Sequence, residues 1–414
     1  MDEKTKRVFY LSVIVILVGV FLVLPVVGEC QQQKPIKIGS LFPKIGALAY
    51  HGTSAEQGAL MAVEEFNAQG GILGRKIEYV WREPELKAEV ALRNANALIY
   101  ESKVDYILGP MTTLEATAIT DLCREQKVPL FSTALSIFLC EEKGHRYFFR
   151  VSPDSWMIAG AQANYIKDVG FRTCWTVAPD YAYGHATMKD KLSRLEEFNV
   201  PLKLLGQSWP PLAEKDFSAY IAQIVTANPN IVFLDLFAGQ LLSFLKQAKG
   251  YGLYDKVQIS LDGQPEQIRA FGLDMKEGLM GWTTYDITAP KSASNDEWIK
   301  RYQKRWGGDA YPGYSSAQFY TAMVAIKAAM EAAGTTTDKE AIINKLETIK
   351  FQAPIGEVYF RALDHQIAWP IPVGRTVFLP GFKFAVIGKD VKIIPAEKIW
   401  RTEEQVKDAR AKKK

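Results

Sequence analysis

The 414-residue chain is 48% hydrophobic and 23% charged, the balance of a soluble globular protein, and its length suits two domains better than one. A formal net charge of +4 over that length argues against a nucleic-acid surface. The one dense basic run, Lys412-Lys413-Lys414, reads as a solvated end.

Residues 1–28 stand apart. Lys4, Lys6 and Arg7 precede an almost unbroken apolar run from Val8 to Leu24, and Pro25 leads into Val26-Val27-Gly28. This is the layout of a secretory signal, with cleavage before Glu29. Two alternatives stay open: lipidation of Cys30, or retention of the segment as an N-terminal membrane anchor. Each carries the remainder out of the cytoplasm, into the periplasm. The other cysteines, Cys123, Cys140 and Cys174, form no CxxC pair or zinc spacing. Cys174 reads as core, and export permits a Cys123–Cys140 bridge.

From residue 36 strand and helix patterns alternate. Strands are expected at 36–39, 76–81, 104–108 and 128–132, and helices at 54–69, 84–102 and 113–126, with Gly70-Gly71 ending the first helix. A second series follows, with helices at 155–168, 184–197, 216–227 and 239–250 and strands at 172–177, 202–206, 230–234 and 257–260. Helical stretches at 295–307, 314–333 and 337–348 come next, then a Pro-rich β segment over 355–398. The βα alternation predicts an α/β fold with parallel sheets covered on both faces. Two such series without a linker predict lobes joined by short crossovers.

Chemistry-bearing motifs are missing. GxSxG, HExxH, GxxxxGK[ST] and GxGxxG do not occur. His51, His145, His185 and His365 are scattered without metal-ligand spacing. The reading is of a binding protein rather than an enzyme, with no metal, cofactor or nucleic acid.

Ligands of open parallel sheets bind beyond the carboxyl ends of the strands. That rule selects Gly109-Pro110-Met111-Thr112-Thr113, where two hydroxyls at a helix N-terminus suit a carboxylate, although Thr112 is equally placed to cap the helix. It also selects Thr133-Ala134-Leu135-Ser136, then Asp154 at the crossover between lobes, which either caps a helix or faces the cleft, and Tyr183 after strand 172–177. Asp235 and Asp262 end the next two strands of the second lobe, where either would meet a ligand ammonium, although turn chemistry explains Asp262-Gly263 equally well.

These positions carry a resemblance. Asn67-Ala68-Gln69-Gly70-Gly71-Ile72-Leu73-Gly74-Arg75-Lys76-Ile77, Glu214-Lys215-Asp216-Phe217-Ser218, Gly109-Pro110 before two hydroxyls, Tyr183-Gly184 and Arg361 to Gln366 resemble, in order and spacing, the branched-chain amino-acid binding proteins of ABC importers. The resemblance spans about residues 36–398. It implies the type I periplasmic-binding fold, two doubly wound lobes joined by three hinge crossovers: 36–153 with 286–372, and 154–285 with 373–398, followed by a basic tail over 399–414. It implies that Thr112, Thr113, Ala134 and Ser136 hold a ligand carboxylate, that Asp154 is the crossover acid and Tyr183 the lid, and that Tyr50 and His51 form one wall, Phe237 and Asp262 the other. The partners it implies are a small carboxylate-bearing solute, an apolar amino acid first, and an ABC permease. Asp262 is reached only with a one-residue shift. Leu236 and Phe237 replace the small or hydroxylated residues usual in the family, which leaves open an aromatic acid, an amide or urea, or a sensory ectodomain on the same fold.

Overall fold

The computed structural model describes residues 2–3, 34–236 and 238–412, without the side chains of Ala182, Tyr183 and Ala238. The readings for the signal segment, Cys30, Phe237 and the Tyr183 side chain therefore lie outside the described residues.

The first sheet has five parallel strands, β1 (Ile36–Ser40), β2 (Ile77–Trp81), β3 (Tyr106–Leu108), β4 (Leu130–Ser132) and β5 (Phe148–Arg150), in the order β2-β1-β3-β4-β5. Helices α1 (Ala49–Ala68), α2 (Ala88–Asn96) and α3 (Thr113–Glu125) connect the first four. In the second sheet, β6 (Thr173–Val177), β7 (Lys203–Ser208), β8 (Ile231–Leu234), β9 (Gln258–Asp262) and β10 (Met280–Trp282) run parallel. Its helices are α4 (Ser155–Ile166), α5 (Ala182–Glu197), α6 (Ser218–Ala227), α7 (Ala238–Gly250) and α8 (Pro265–Phe271). The chain then returns to the first lobe for α9 (Ala293–Trp306), α10 (Tyr314–Ala333), α11 (Lys339–Leu346) and the hairpin β11 (Lys350–Ala353) and β12 (Gly356–Tyr359). Finally β13 (Ile371–Phe378) and β14 (Ala385–Ile394) join the second sheet, β13 antiparallel to β10. Short passages near residues 151–154, 283–287 and 367–370 join the lobes, as the hinged α/β reading expects.

The core follows the pattern of each strand. β1, β3, β4 and β5 bury nearly every residue, because helices cover both faces of a parallel sheet. Phe42, Phe131, Phe149, Phe319 and Phe360 gather between the first sheet and α10, and Phe131 stacks on Phe149 at 5.0 Å.

The two most distinctive sequence motifs are structural. The Asn67 amide clasps Ile77, accepting from its N–H at 2.8 Å and donating to its carbonyl at 2.9 Å. Arg75 reaches Pro35 and Thr336. The motif thus closes the α1–β2 connection. In the second, Asp216 accepts from the Ser218 N–H at 3.0 Å, and Phe217 drives into the second-lobe core.

Departures from the sequence reading have local causes. α1 starts at Ala49 rather than Ser54, because its first turn is held by aromatic packing and not by the apolar spacing that begins at Ala55. α2 begins only at Ala88, since Glu85 and Leu86 adopt left-handed φ of 57° and 56°. β5 and β10 are three residues each, too short to show alternation. Cys123 and Cys140 are free, buried thiols, so the permitted bridge is not made. Residues 399–412 are not a simple tail: α12 (Glu403–Ala411) starts with a capping box at Thr402 and Gln405, and its Arg410 donates to the Leu363 and Cys140 carbonyls at 2.7 and 2.8 Å.

Candidate functional site

The strand order places the site. In the first sheet the neighbours β1 and β3 are where the order reverses, and in the second sheet β6 and β8 are. Loops leaving such a switch point splay apart and form a crevice at the carboxyl edge. The crevice is thus bounded by residues 41–50 and 109–113 on one lobe, with 133–136 beside them, and by residues 178–183, 235–236 and 262–264 on the other.

On the first lobe Gly109 has φ +80°, and a Cβ there would lie 2.6 Å from the Leu41 carbonyl oxygen, so glycine is required for the two switch-point loops to touch. Thr112 is the N-cap of α3. Its hydroxyl donates to the buried Glu115 carboxylate at 2.5 Å and receives the Glu115 N–H at 3.4 Å. Burial pushes the Glu115 carboxyl up to about 7 against the bonds from Thr112. The Thr112 proton is therefore committed inside the protein. Thr112→Ala is expected to lower stability by about 1 kcal/mol, the worth of an N-cap, in urea unfolding; a loss near zero would refute the capping role.

Thr113 differs. Its hydroxyl accepts from the Ser136 N–H at 3.4 Å, which ties two loops together and leaves its own proton for an outside acceptor. The Ala134 N–H donates to Ser132 Oγ at 3.1 Å and is not the free backbone donor the sequence suggested. The Ser136 carbonyl accepts from Arg150, a fully buried guanidinium. Arg150 also donates to Asp154 at 3.2 Å and Gln366 at 3.3 Å. The other Asp154 oxygen caps α4 through the Met157 N–H at 2.8 Å. Asp154 is thus engaged at both oxygens, and in this structure it braces the hinge.

The wall from α1 is aromatic. Tyr50 is 36% exposed and its ring lies 3.9 Å from that of His51, which meets the Tyr314 ring at 5.1 Å. Burial holds the His51 imidazole down to about 3, so it is neutral, and its Nδ1 has no partner among the described residues. The sequence reading missed Tyr314. The signal was its position just after Tyr311-Pro312-Gly313 at a helix start, but only the fold brings that start to the cleft.

The two strand-end acids of the second lobe differ in their partners. Asp235 is paired with Lys191 at 2.5 Å, both nearly buried, with Lys191 over the Phe233 ring. Asp262 has no ion pair among the described residues. It accepts from the Gln264 N–H at 3.1 Å. Burial pushes its carboxyl up to about 7, with the neighbouring Asp235 and Glu266 adding to the shift. Its charge is felt at Tyr50 and Tyr314 on the opposite wall. Of the two strand-end acids, Asp262 is therefore the one without an ion pair among the described residues. A separate cavity of about 230 Å³, lined by Arg194, Phe198, Lys398 and Trp400 among others, opens at the far end of α5, away from these groups.

Residues 35–377 match the sequence profile of the family described as periplasmic binding protein. The chain belongs to that family. This periplasmic binding protein is similar to Leu/Ile/Val-binding protein homolog 7 of Brucella abortus, 25% identical over 341 residues that cover 79% of this chain and 84% of the relative. Among solved structures, the branched-chain amino acid transporter substrate-binding protein of Streptococcus pneumoniae in complex with isoleucine matches with a TM-score of 0.75 at 20% identity, covering 87% of this chain and 99% of that one. A solute-binding protein of an R. palustris ABC transporter in complex with benzoate also matches with a TM-score of 0.75, at 18% identity, covering 87% and 97%. The structural likenesses establish the two-lobed α/β fold of periplasmic binding proteins for this chain. The expected family resemblance is borne out.

Proposed function

We propose that this periplasmic binding protein is the extracytoplasmic receptor of an ABC importer and captures a small zwitterion, an apolar amino acid, between its lobes without chemical change. The observation that carries this reading is Asp262, an acid at a strand carboxyl end without an ion pair among the described residues, whose charge is felt at the Tyr50 and Tyr314 rings of the aromatic stack. A ligand ammonium supplies the missing counterion. A ligand carboxylate takes the Thr113 proton and the backbone groups of the neighbouring loops, and the aliphatic part rests on the aromatic wall. A charged ligand closed away from water needs such complete pairing. The names of its relatives are consistent with this class.

A second reading is favoured by the aromatic wall itself: an aromatic acid stacked on Tyr50 and Tyr314. The two separate by the pH dependence of binding. Burial raises the Asp262 carboxyl to about 7, and an ammonium ligand needs it charged, so affinity is expected to be full above that pH and to fall by about tenfold per unit below it. An aromatic acid gains as Asp262 loses its charge. Calorimetric titration with L-leucine and with benzoate at pH 5.5 and 8.0 is expected to show leucine binding that weakens at the lower pH. Leucine silent at both values, with benzoate bound more tightly at pH 5.5, would replace the first reading by the second.

A further inference from the structure

We infer that Glu266, on the first turn of α8, is an interlobe latch that sets the closed position of the cleft without touching the solute. Its carboxylate crosses from the second lobe to the first and takes three donors there. These are the Ser54 hydroxyl at 3.1 Å and the backbone N–H groups of Tyr314 and Ser315, each at 3.2 Å. The last two are the open N–H groups at the start of α10, a 20-residue helix, where a carboxylate is favoured by both hydrogen bonding and the helix dipole.

One turn further along α8, Arg269 meets the same segment with the opposite polarity. Its two terminal nitrogens donate to the Tyr311 and Pro312 carbonyls at 2.6 and 2.8 Å. Its guanidinium also lies over the rings of Tyr311 and Phe384. A short helix of the second lobe therefore holds residues 311–315 of the first through an acid on its N–H groups and a base on its carbonyls. Gly313 makes room for this: a Cβ there would fall 1.9 Å from Glu266 Oε1. The neighbouring Tyr314 carries the ring that packs on His51, and Asp262 lies four residues before Glu266. The latch thus ties the aromatic wall to the loop of the crevice acid, and separating the lobes breaks all five bonds.

The inference does not depend on which solute is bound, so its test uses the full chain without ligand. Spin labels at Glu125→Cys and Lys256→Cys, one exposed site on each lobe, report the interlobe distance by pulsed electron paramagnetic resonance. The native cysteines among the described residues are buried and free. The expected result is one short-distance population for the otherwise native protein. A second, longer population is expected for Glu266→Ala and also for Arg269→Ala, with circular dichroism unchanged. Glu266→Asp is expected to restore part of the short population. If Glu266→Ala fails to fold, Arg269→Ala carries the test alone. Distance distributions that superimpose on the native one in every folded variant would overturn the latch.

Discussion

Asp262→Asn is expected to weaken binding of L-leucine by about 2–4 kcal/mol, roughly 30- to 1000-fold, in calorimetry at pH 8. The substitution keeps an oxygen for the Gln264 N–H, replaces the other oxygen by an NH2 group and removes the charge. The loss arises because the ligand ammonium is then desolvated without a counterion, which costs more than the absence of a neutral hydrogen bond. The same variant has an opposite effect on the empty protein. Burial raises the Asp262 carboxyl to about 7, above the value of about 4 in an unfolded chain. A raised folded value means that stability is full below pH 4 and is lost as pH rises towards 7 and the buried group must ionise. Asp262→Asn escapes that loss, so its unliganded melting temperature at pH 8 is expected to exceed that of the native protein. Weakened binding with raised stability is the signature of a site residue. Leucine affinity unchanged by the substitution would remove Asp262 from the site.

Arg150→Ala is expected to destabilise the fold by about 3–5 kcal/mol, the usual effect of removing one partner from a buried ion pair. The guanidinium is fully buried and serves Asp154, Gln366 and the Ser136 carbonyl. These lie on the first passage between lobes, the third passage and a cleft loop. Without it the Asp154 carboxylate stays buried with its α4 cap and no cation bonded to it. Arg150→Lys is not expected to rescue, since an ammonium lacks the planar fork that reaches three acceptors. Urea unfolding followed by tryptophan fluorescence measures the loss, and a change under about 1 kcal/mol would show that the hinge does not depend on this network.

Much of the scaffold was legible because its causes are local. Strand and helix alternation reports burial on two faces, and Gly70-Gly71 stops α1 by backbone chemistry. The Asn67 to Ile77 motif is legible for the same reason: its clasp spans only ten residues. The rule that ligands sit at strand carboxyl ends led to Thr113 and Asp262, and the family resemblance led to Tyr50. The rule led equally to Thr112, Ala134 and Asp154, which are taken up by near neighbours in the chain: Glu115 and Met157 lie three residues on from Thr112 and Asp154, and Ser132 two residues before Ala134.

The difference between the two second-lobe acids is made by a distant partner. Asp235 and Asp262 end adjacent strands in the same way, and Lys191, 44 residues from Asp235, neutralises only Asp235. Asp154 is consumed by its cap and by Arg150, whose other bonds reach Gln366, 216 positions away. Tyr314 and Glu266 join the cleft through a contact of 48 residues, and Ser54 joins them across 212. The sequence by itself determined which segments become strands and helices and which strand ends face a crevice, because those follow from periodicity and backbone preference. Which second-lobe acid is left without a cation, and that Tyr314 and Glu266 meet the first-lobe loops, was decided only by the tertiary structure, because a buried charge is satisfied by whichever partner folding brings within hydrogen-bond reach.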